Sequence, residues 1–264
     1  MYGVGFGYGA IGATTILKSG GAFDADAQSF FAASGITDLT QKNAVNQLVL
    51  DLKVGNVWSG FSIIRPFIGG NAASHSVNLK NISAYQATFY GGVTHDSNGI
   101  NGNGTNGYMA NNYDYIGANK DSFSSGFYAR GAGTNFWFGA TQQSRVEIYN
   151  EPNVFYWTVT NDNETFLSGQ TNADKKGLYV VNRDSSNSKK LYKNSSVISS
   201  ATDVSTSFPT TDIFVLARST SSGASLYSTA SCSFFFIGRS FNSSEQTIIN
   251  NAVTAFQTAL GRNI

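Results

Sequence analysis

The 264-residue chain has one cysteine, two histidines, three prolines and only 12% charged residues. That charge content is about half the usual share. A single cysteine excludes an internal disulfide framework and any zinc site built on thiolates. Cys232 lies in the run Ser-Cys-Ser-Phe-Phe-Phe-Ile and is expected to be a buried, inert thiol in a strand. The net charge is +1 and no basic block is present, so no nucleic-acid partner is expected. No apolar run approaches the roughly 18 residues of a membrane span, so no membrane partner is expected either. The first twenty residues lack the cationic start of a signal peptide, which leads to an expectation of synthesis in a cytoplasm.

What the chain has in quantity is glycine, 28 residues, and aromatics, 14%. Aromatic runs interrupt the polar tracts throughout, which argues against disorder. Low charge with much Gly, Asn, Ser, Thr and aromatic content is common in β-rich proteins of particle surfaces and cell exteriors. Residues 1–22 form a Gly-rich arm in which Gly3, Gly5, Gly7 and Gly9 alternate with Val4, Phe6 and Tyr8. Period two denotes an extended segment with one bare face. The spacing predicts helices over 24–34 (Asp24 as N-cap, Gly35 as stop) and 38–53 (Thr37 as N-cap, Gly55 as stop), which make up a helical lead-in at 23–57. From 58 to 241 the pattern is short strands between polar turns, at 61–67, 87–94, 122–130, 135–141, 144–150, 154–160, 177–183, 189–193, 211–218 and 231–238, with no helical signal between them. Many short strands at this spacing indicate an antiparallel β-sandwich or barrel. A last helix at 242–260, within a segment 242–264 packed on the sandwich, has capping-box spacing at Asn242 and Glu245 and an apolar stripe of Ile249, Val253, Phe256 and Leu260.

Three stretches carry a family resemblance. Residues 24–70, DADAQSFFAASGITDLTQKNAVNQLVLDLKVGNVWSGFSIIRPFIGG, followed by HSVNLK at His75 to Lys80, resemble the helical lead-in of virion proteins of tailed bacteriophages, of the type found with Bacteroidetes hosts. GNGTNGYMANNYDYI at 102–116 is similar to an early strand region of laminin-G-like jelly rolls. FFFIGRSFNSSEQTIINNAVTAFQTALGRN at 234–263 resembles their last strand and closing helix. The resemblance implies a mainly β, concanavalin A-like (lectin/glucanase, laminin-G-type) jelly-roll sandwich carried on a phage tail, baseplate, head fibre or decoration. One departure is Arg65 before Pro66, where relatives often have an aromatic residue; one altered packing contact is expected there.

The motif with most chemistry is Glu147-Ile148-Tyr149-Asn150-Glu151. Jelly-roll glucanases resemble it, with two glutamates four apart on one strand and an aspartate between. On a strand, Glu147, Tyr149 and Glu151 share a face, and paired carboxylates can act as nucleophile and acid/base. Tyr149 replaces the central carboxylate and Pro152 ends the strand, so an exposed edge entering a turn stands beside the enzymatic reading. His75 and His95 receive no catalytic or metal role: Thr94-His95-Asp96 is suggestive by adjacency alone, and His75 is read as structural. The Asn/Gly-rich stretch 96–120 carries Tyr108, Tyr113 and Tyr115, candidate glycan-binding rings; its oxygen-rich loop could also take Ca²⁺, and no other cofactor is expected. Framework roles for these tyrosines stand beside the binding one. Asn161-Asp162-Asn163-Glu164 reads as a plain hairpin turn.

These observations lead to a set of expectations. The chain is a virion structural protein with a lectin-like sandwich that can bind host or environmental glycan. The alternative is a phage polysaccharide depolymerase using Glu147 and Glu151; no enzymatic activity is expected. The protein is made in the host cytoplasm and reaches the virion surface, its partners being other virion proteins, further copies of itself, and cell-surface or mucus glycan. The arm lies against another virion subunit, with Phe6, Tyr8, Ile11 and Ile16 as its assembly contacts.

Overall fold

In a computed structural model, residues 22–170 and 174–264 are described. The arm contacts Phe6, Tyr8, Ile11 and Ile16 lie outside them. Two helices lead the chain, α1 (Ala25–Ser34) and α2 (Leu39–Val54). Asp24 caps α1 by accepting from the Asp26 amide, and Gly35 closes it in the left-handed conformation, donating its own amide to Phe31. The cap of α2 is Asp38, not Thr37: its carboxylate accepts from the Gln41 amide at 2.8 Å, a stronger charge-assisted bond than a hydroxyl offers. Lys53 at the end of α2 reaches Asp24 at 2.7 Å and Asp26 at 2.6 Å, tying the helices together.

Two sheets follow. The first holds eight strands: β1 (Phe61–Arg65), β3 (Thr94–Asp96), β4 (Gly99–Asn101), β6 (Phe123–Ala129), β11 (Gly177–Ser185), β12 (Ser188–Lys193), β13 (Ser196–Ala201) and β17 (Ser231–Gly238). Its order is β13-β12-β11-β6-β17-β4-β3, with β1 also paired to β17. The second holds β2 (Thr88–Tyr90), β5 (Tyr108–Ala110), β7 (Asn135–Gln142), β8 (Ser144–Glu151), β9 (Asn153–Asn161), β10 (Thr165–Gln170), β14 (Phe214–Val215), β15 (Arg218–Thr220) and β16 (Gly223–Ser225). Its order is β10-β9-β8-β7-β14-β5-β2, and the β15–β16 hairpin joins it through a parallel pairing of β15 with β7. The other strand pairings described are antiparallel. The expected antiparallel sandwich is therefore the fold, with the expected helices at its two ends.

Some expected boundaries shift. The 87–94 run divides into β2 in one sheet and β3 in the other, because Gly91 turns at φ 59 where a Cβ would sit 2.1 Å from the Asn106 carbonyl oxygen. The 211–218 run breaks at Leu216, held at φ 69, into β14 and β15. A short helix, α3 (Ala72–Ser76), capped by Asn71, interrupts the region expected to be helix-free.

Strand alternation builds two cores. Trp137, Phe138, Ile148, Phe155 and Trp157 of the second sheet meet Phe127, Tyr179, Val181, Phe235 and Ile237 of the first. The opposite face of the first sheet presents Tyr128, Leu178, Val180, Phe234 and Phe236 to Leu48, Val49 and Leu52 of α2 and to Ile249, Val253 and Phe256 of the last helix, α4 (Ser243–Ala259). Gly126 is required beneath this layer, since a Cβ there would come within 2.1 Å of the Phe236 ring. The capping box of Asn242 and Glu245 forms with both bonds present. The first sheet is thus covered on both faces and the second on one.

Two buried guanidiniums fasten loops to this frame. Arg65, fully buried, donates to Asn111 at 3.1 Å, to the Ser76 carbonyl at 2.8 Å and to the Tyr85 carbonyl. The expected single packing contact is in fact a hydrogen-bonding hub joining three segments. Arg262, just beyond α4, donates to the carbonyls of Phe67, Pro66 and Ser233 at 2.7, 3.1 and 3.2 Å. Burial lowers both, Arg65 to about 9 and Arg262 to about 10, and both remain cationic at neutral pH. Cys232 is fully buried, its thiol pushed far up by burial.

Candidate functional site

The uncovered face of the second sheet carries side chains that the alternation leaves outside the core. The β8–β9 hairpin turns at Pro152, and its register pairs Tyr149 with Tyr156 and Glu147 with Thr158. β7 adds Phe136 beside Tyr149 and Gly139 beside Glu147, and β10 adds Phe166 beside Tyr156. The four rings run across four adjacent strands. Centroids are 4.6 Å apart for Phe136–Tyr149, 5.8 Å for Tyr149–Tyr156 and 5.7 Å for Tyr156–Phe166. Strands are themselves about 4.8 Å apart, so the first pair stands on edge, stacked at 28°, instead of lying flat on the sheet. Such cross-strand stacks stiffen the sheet.

The β15–β16 hairpin places Arg218 over Phe136, 5.6 Å from the ring centroid. Phe136, Tyr149, Glu151, Tyr156, Glu164, Arg218 and Leu226 enclose a cleft of about 200 Å³. Tyr149 donates its hydroxyl to Glu151, and Arg145 donates to Glu164. Burial, with Glu151 adding to it, pushes the Tyr149 hydroxyl up to about 12, so it stays protonated. The lining therefore combines ring surface with two carboxyls, a guanidinium and a phenol, a set that both accepts from and donates to hydroxyl groups.

Two residues before Tyr149, on the same face of β8, lies Glu147, fully buried. Its nearest cation, Arg145 Nη1, is 3.6 Å away and already engaged by Glu164. Burial, with the Glu164 carboxyl adding to it, pushes Glu147 up to about 8. The expected same-face placement of Glu147, Tyr149 and Glu151 is what the strand produces. However, Cα atoms four residues apart on a strand are separated by about 13 Å, Tyr149 occupies the ground between them, and Glu147 is shut off from solvent. A retaining glycosidase needs its two carboxyl groups roughly 5 Å apart and open to substrate.

The fold separates the three candidate tyrosines. Tyr108, on β5, is half-buried on the same open face, stacks on Tyr90 (4.7 Å, 12°) and lies tilted against Phe214 (4.6 Å, 32°), a second aromatic row nearer the β2 edge. Tyr113 is buried in the sandwich core, and Tyr115 packs against that core with its ring stacked on Phe208. Their rings are taken up by the frame because the loop crosses the sandwich end, where Asp212 accepts from the Asn112 and Tyr113 amides. Tyr113 also lines a hollow of about 280 Å³ with Ile116 and Arg239. Among the described residues no cluster of three or more His, Cys, Asp or Glu has a metal-binding arrangement. The two histidines, far apart in sequence, meet with Nδ1 atoms 3.0 Å apart, and burial, then His95 and Arg262, lowers His75 to about 3. No helix among the described residues is long and apolar enough to cross a membrane.

Sequence reasoning missed Phe136, Tyr156, Glu164, Phe166 and Arg218. The available signal was Pro152: a tight turn there pairs positions whose numbers sum to 305, which sets Tyr149 opposite Tyr156. Arg218 had no such signal, since it arrives from a hairpin distant in sequence.

No family model and no curated protein matches this chain. Solved structures do. The botulinum neurotoxin serotype D binding domain superposes with a TM-score of 0.53 at 11% identity, over 74% of this chain and 52% of that one. The serotype G binding domain gives 0.54 at 15% identity, over 72% and 50%. A type C neurotoxin structure gives 0.56 at 13% identity, over 76% and 53%. The chain spans about half the length of each of these proteins. At these identities the likeness establishes the fold: a β-sandwich of the kind found in toxin receptor-binding domains.

Proposed function

We propose that this chain is a glycan-binding module, that its ligand lies in the cleft of the open sheet face, and that it is carried as a structural component of a bacteriophage virion. The observation that carries the binding reading is the cleft itself. Aromatic rings stand beside Glu151, Glu164, Arg218 and the Tyr149 hydroxyl on a sheet face that no described helix covers. Sugars present apolar C–H edges together with hydroxyls that donate and accept, and this lining meets both. The structural neighbours support it: the type C neurotoxin enters cells through interaction with two ganglioside molecules, lipids that carry a sugar headgroup. The virion assignment rests on the lead-in and closing-helix resemblance and on the low-charge, Gly- and aromatic-rich composition. Binding without cleavage is favoured over the depolymerase alternative because Glu147 cannot touch a substrate in the cleft.

Two experiments test this. An array of bacterial capsular polysaccharides and mucin glycans should retain the wild-type chain, and Arg218→Ala and Tyr149→Ala should each weaken retention about tenfold or more, the effect of losing one anchor of about 1.4–3 kcal/mol. Wild-type binding that neither variant alters places the ligand elsewhere. Antibody raised against the chain should label intact phage particles; its absence from purified particles refutes the virion assignment.

A further inference from the structure

A buried carboxyl with no fixed donor is stable only if it keeps its proton, because an unpaired charge out of water costs far more than a neutral acid does. Glu147 is such a group. It is fully buried, neither oxygen has a hydrogen-bond partner among the described residues, and the described cation within 4 Å, Arg145, is held by Glu164. Gly139 opposite it has no side chain to displace it, and Thr158 flanks it on the other strand. The groups facing it are few. Arg145 comes from its own strand. Glu164 and Asp162 come from the β9–β10 turn, Asp162 lying 4.0 Å from Arg145. Lys189 comes from β12, its ammonium bound to Thr158 at 3.0 Å and Asp203 at 2.8 Å. Arg218 pairs beside Gly139 from β15. Of these, Glu164 shares the Arg145 guanidinium with Glu147 and also lines the cleft.

We infer that Glu147 is a positioning residue for the cleft: its protonated carboxyl donates to the Glu164 carboxylate and, together with Arg145, fixes that carboxylate where a ligand hydroxyl meets it. Glu164 sits in the turn that enters the edge strand β10, a third exposed, and would otherwise sample several rotamers. Two donors from below leave its outward lone pairs for the ligand. Loss of the Glu147 proton places two anions side by side, drives Glu164 away from its seat and opens the cleft wall. The ligand binds the protonated pair, so binding takes up a growing fraction of a proton as pH rises through the titration of Glu147. The ligand half of this inference rests on the glycan reading above; the carboxyl half does not.

The test uses the full chain. Carboxyl-carbon NMR should show Glu147 titrating near pH 8, with the Glu164 carbon and the Arg145 side-chain signal moving in the same step. Glu147→Gln keeps the donor and removes the charge, so it should abolish that step and leave the Arg145 signal at its low-pH position throughout. Immobilised gastric mucin is the binding probe. Wild-type retention should fall several-fold between pH 7 and pH 9, Glu147→Gln should bind at pH 9 as the wild type does at pH 6, and Glu147→Leu, which cannot donate, should bind weakly at both. A Glu147 that titrates in the ordinary carboxylate range overturns the inference, as does a step near 8 that leaves Arg145 and Glu164 unmoved. Mucin binding that is flat in pH for all three proteins also overturns it. Absence of mucin binding at every pH counts against the glycan reading alone, because the NMR step is read without ligand and decides the carboxyl pair by itself.

Discussion

The outer faces of the two sheets are built from the same kinds of residue and have opposite fates. The first sheet presents Tyr128, Leu178, Val180, Phe234 and Phe236, and α2 and α4 seal all five. The second presents Phe136, Tyr149, Tyr156 and Phe166, and no described helix lies over them. The difference is in the company the rings keep. On the closed face the neighbours are Leu, Val and Ile from the helices. On the open face they are Arg145, Glu147, Glu151, Glu164 and Arg218. An aromatic row interleaved with charge cannot be covered by an apolar helix without stranding those charges, so Tyr149, Tyr156 and Phe166 stay at the surface while Phe136 is buried beside Arg218.

Substitutions on the two faces should separate accordingly. The largest effect belongs to the closed face: Phe236→Ala should cost about 3–5 kcal/mol by cavity formation, read as a lower midpoint in urea, with retention on the glycan array unchanged while it remains folded. A loss below ~1 kcal/mol would mean the helical layer is loosely packed. Gly126→Ala, which drives a methyl into that same ring, should cost about 1–3 kcal/mol. On the open face the stability signature is a pH dependence. Glu147 is raised in the folded state, to about 8, so its stabilising contribution is complete below the ordinary carboxylate value and declines as pH rises toward 8, by at most ~1.4 kcal/mol per unit. Thermal melts from pH 4 to 9 should show this decline in the wild type and a shallower one in Glu147→Gln; parallel curves would show that the group ionises freely in the folded protein. Smallest is Tyr156→Ala, about 0.5–1.5 kcal/mol for a cross-strand aromatic pair, a change that equilibrium unfolding can resolve.

The same contrast explains what could be read from the sequence. The closed side was legible: α1, α2 and α4 repeat their apolar positions at helical spacing between visible caps, and β11 and β17 contain the unbroken apolar runs Leu178 to Val181 and Phe234 to Ile237, as expected of doubly covered strands. The open side was harder. β10, with Phe166 outward and Leu167 inward, is too polar an edge strand to stand out, and β5 is a three-residue strand inside an Asn/Gly-rich stretch. Tyr113 and Tyr115 looked like loop residues, yet the loop folds inward because Asp212, about a hundred positions away, receives its amides. Glu147 and Glu151 were legible as a pair on one strand face. That Glu147 is buried beside an Arg145 held by Asp162 and Glu164 depends on the β9–β10 turn, which one strand's pattern does not encode.

The central claim is that the open face, and not the helical face, holds the ligand. The direct measurement is retention of the wild type, of Arg218→Ala, and of Val54→Ser, an exposed change on α2, on one array of capsular polysaccharides and mucin glycans. The account predicts that wild type and Val54→Ser are retained alike and that Arg218→Ala loses about tenfold or more in affinity. Equal retention of all three, or loss confined to Val54→Ser, contradicts it.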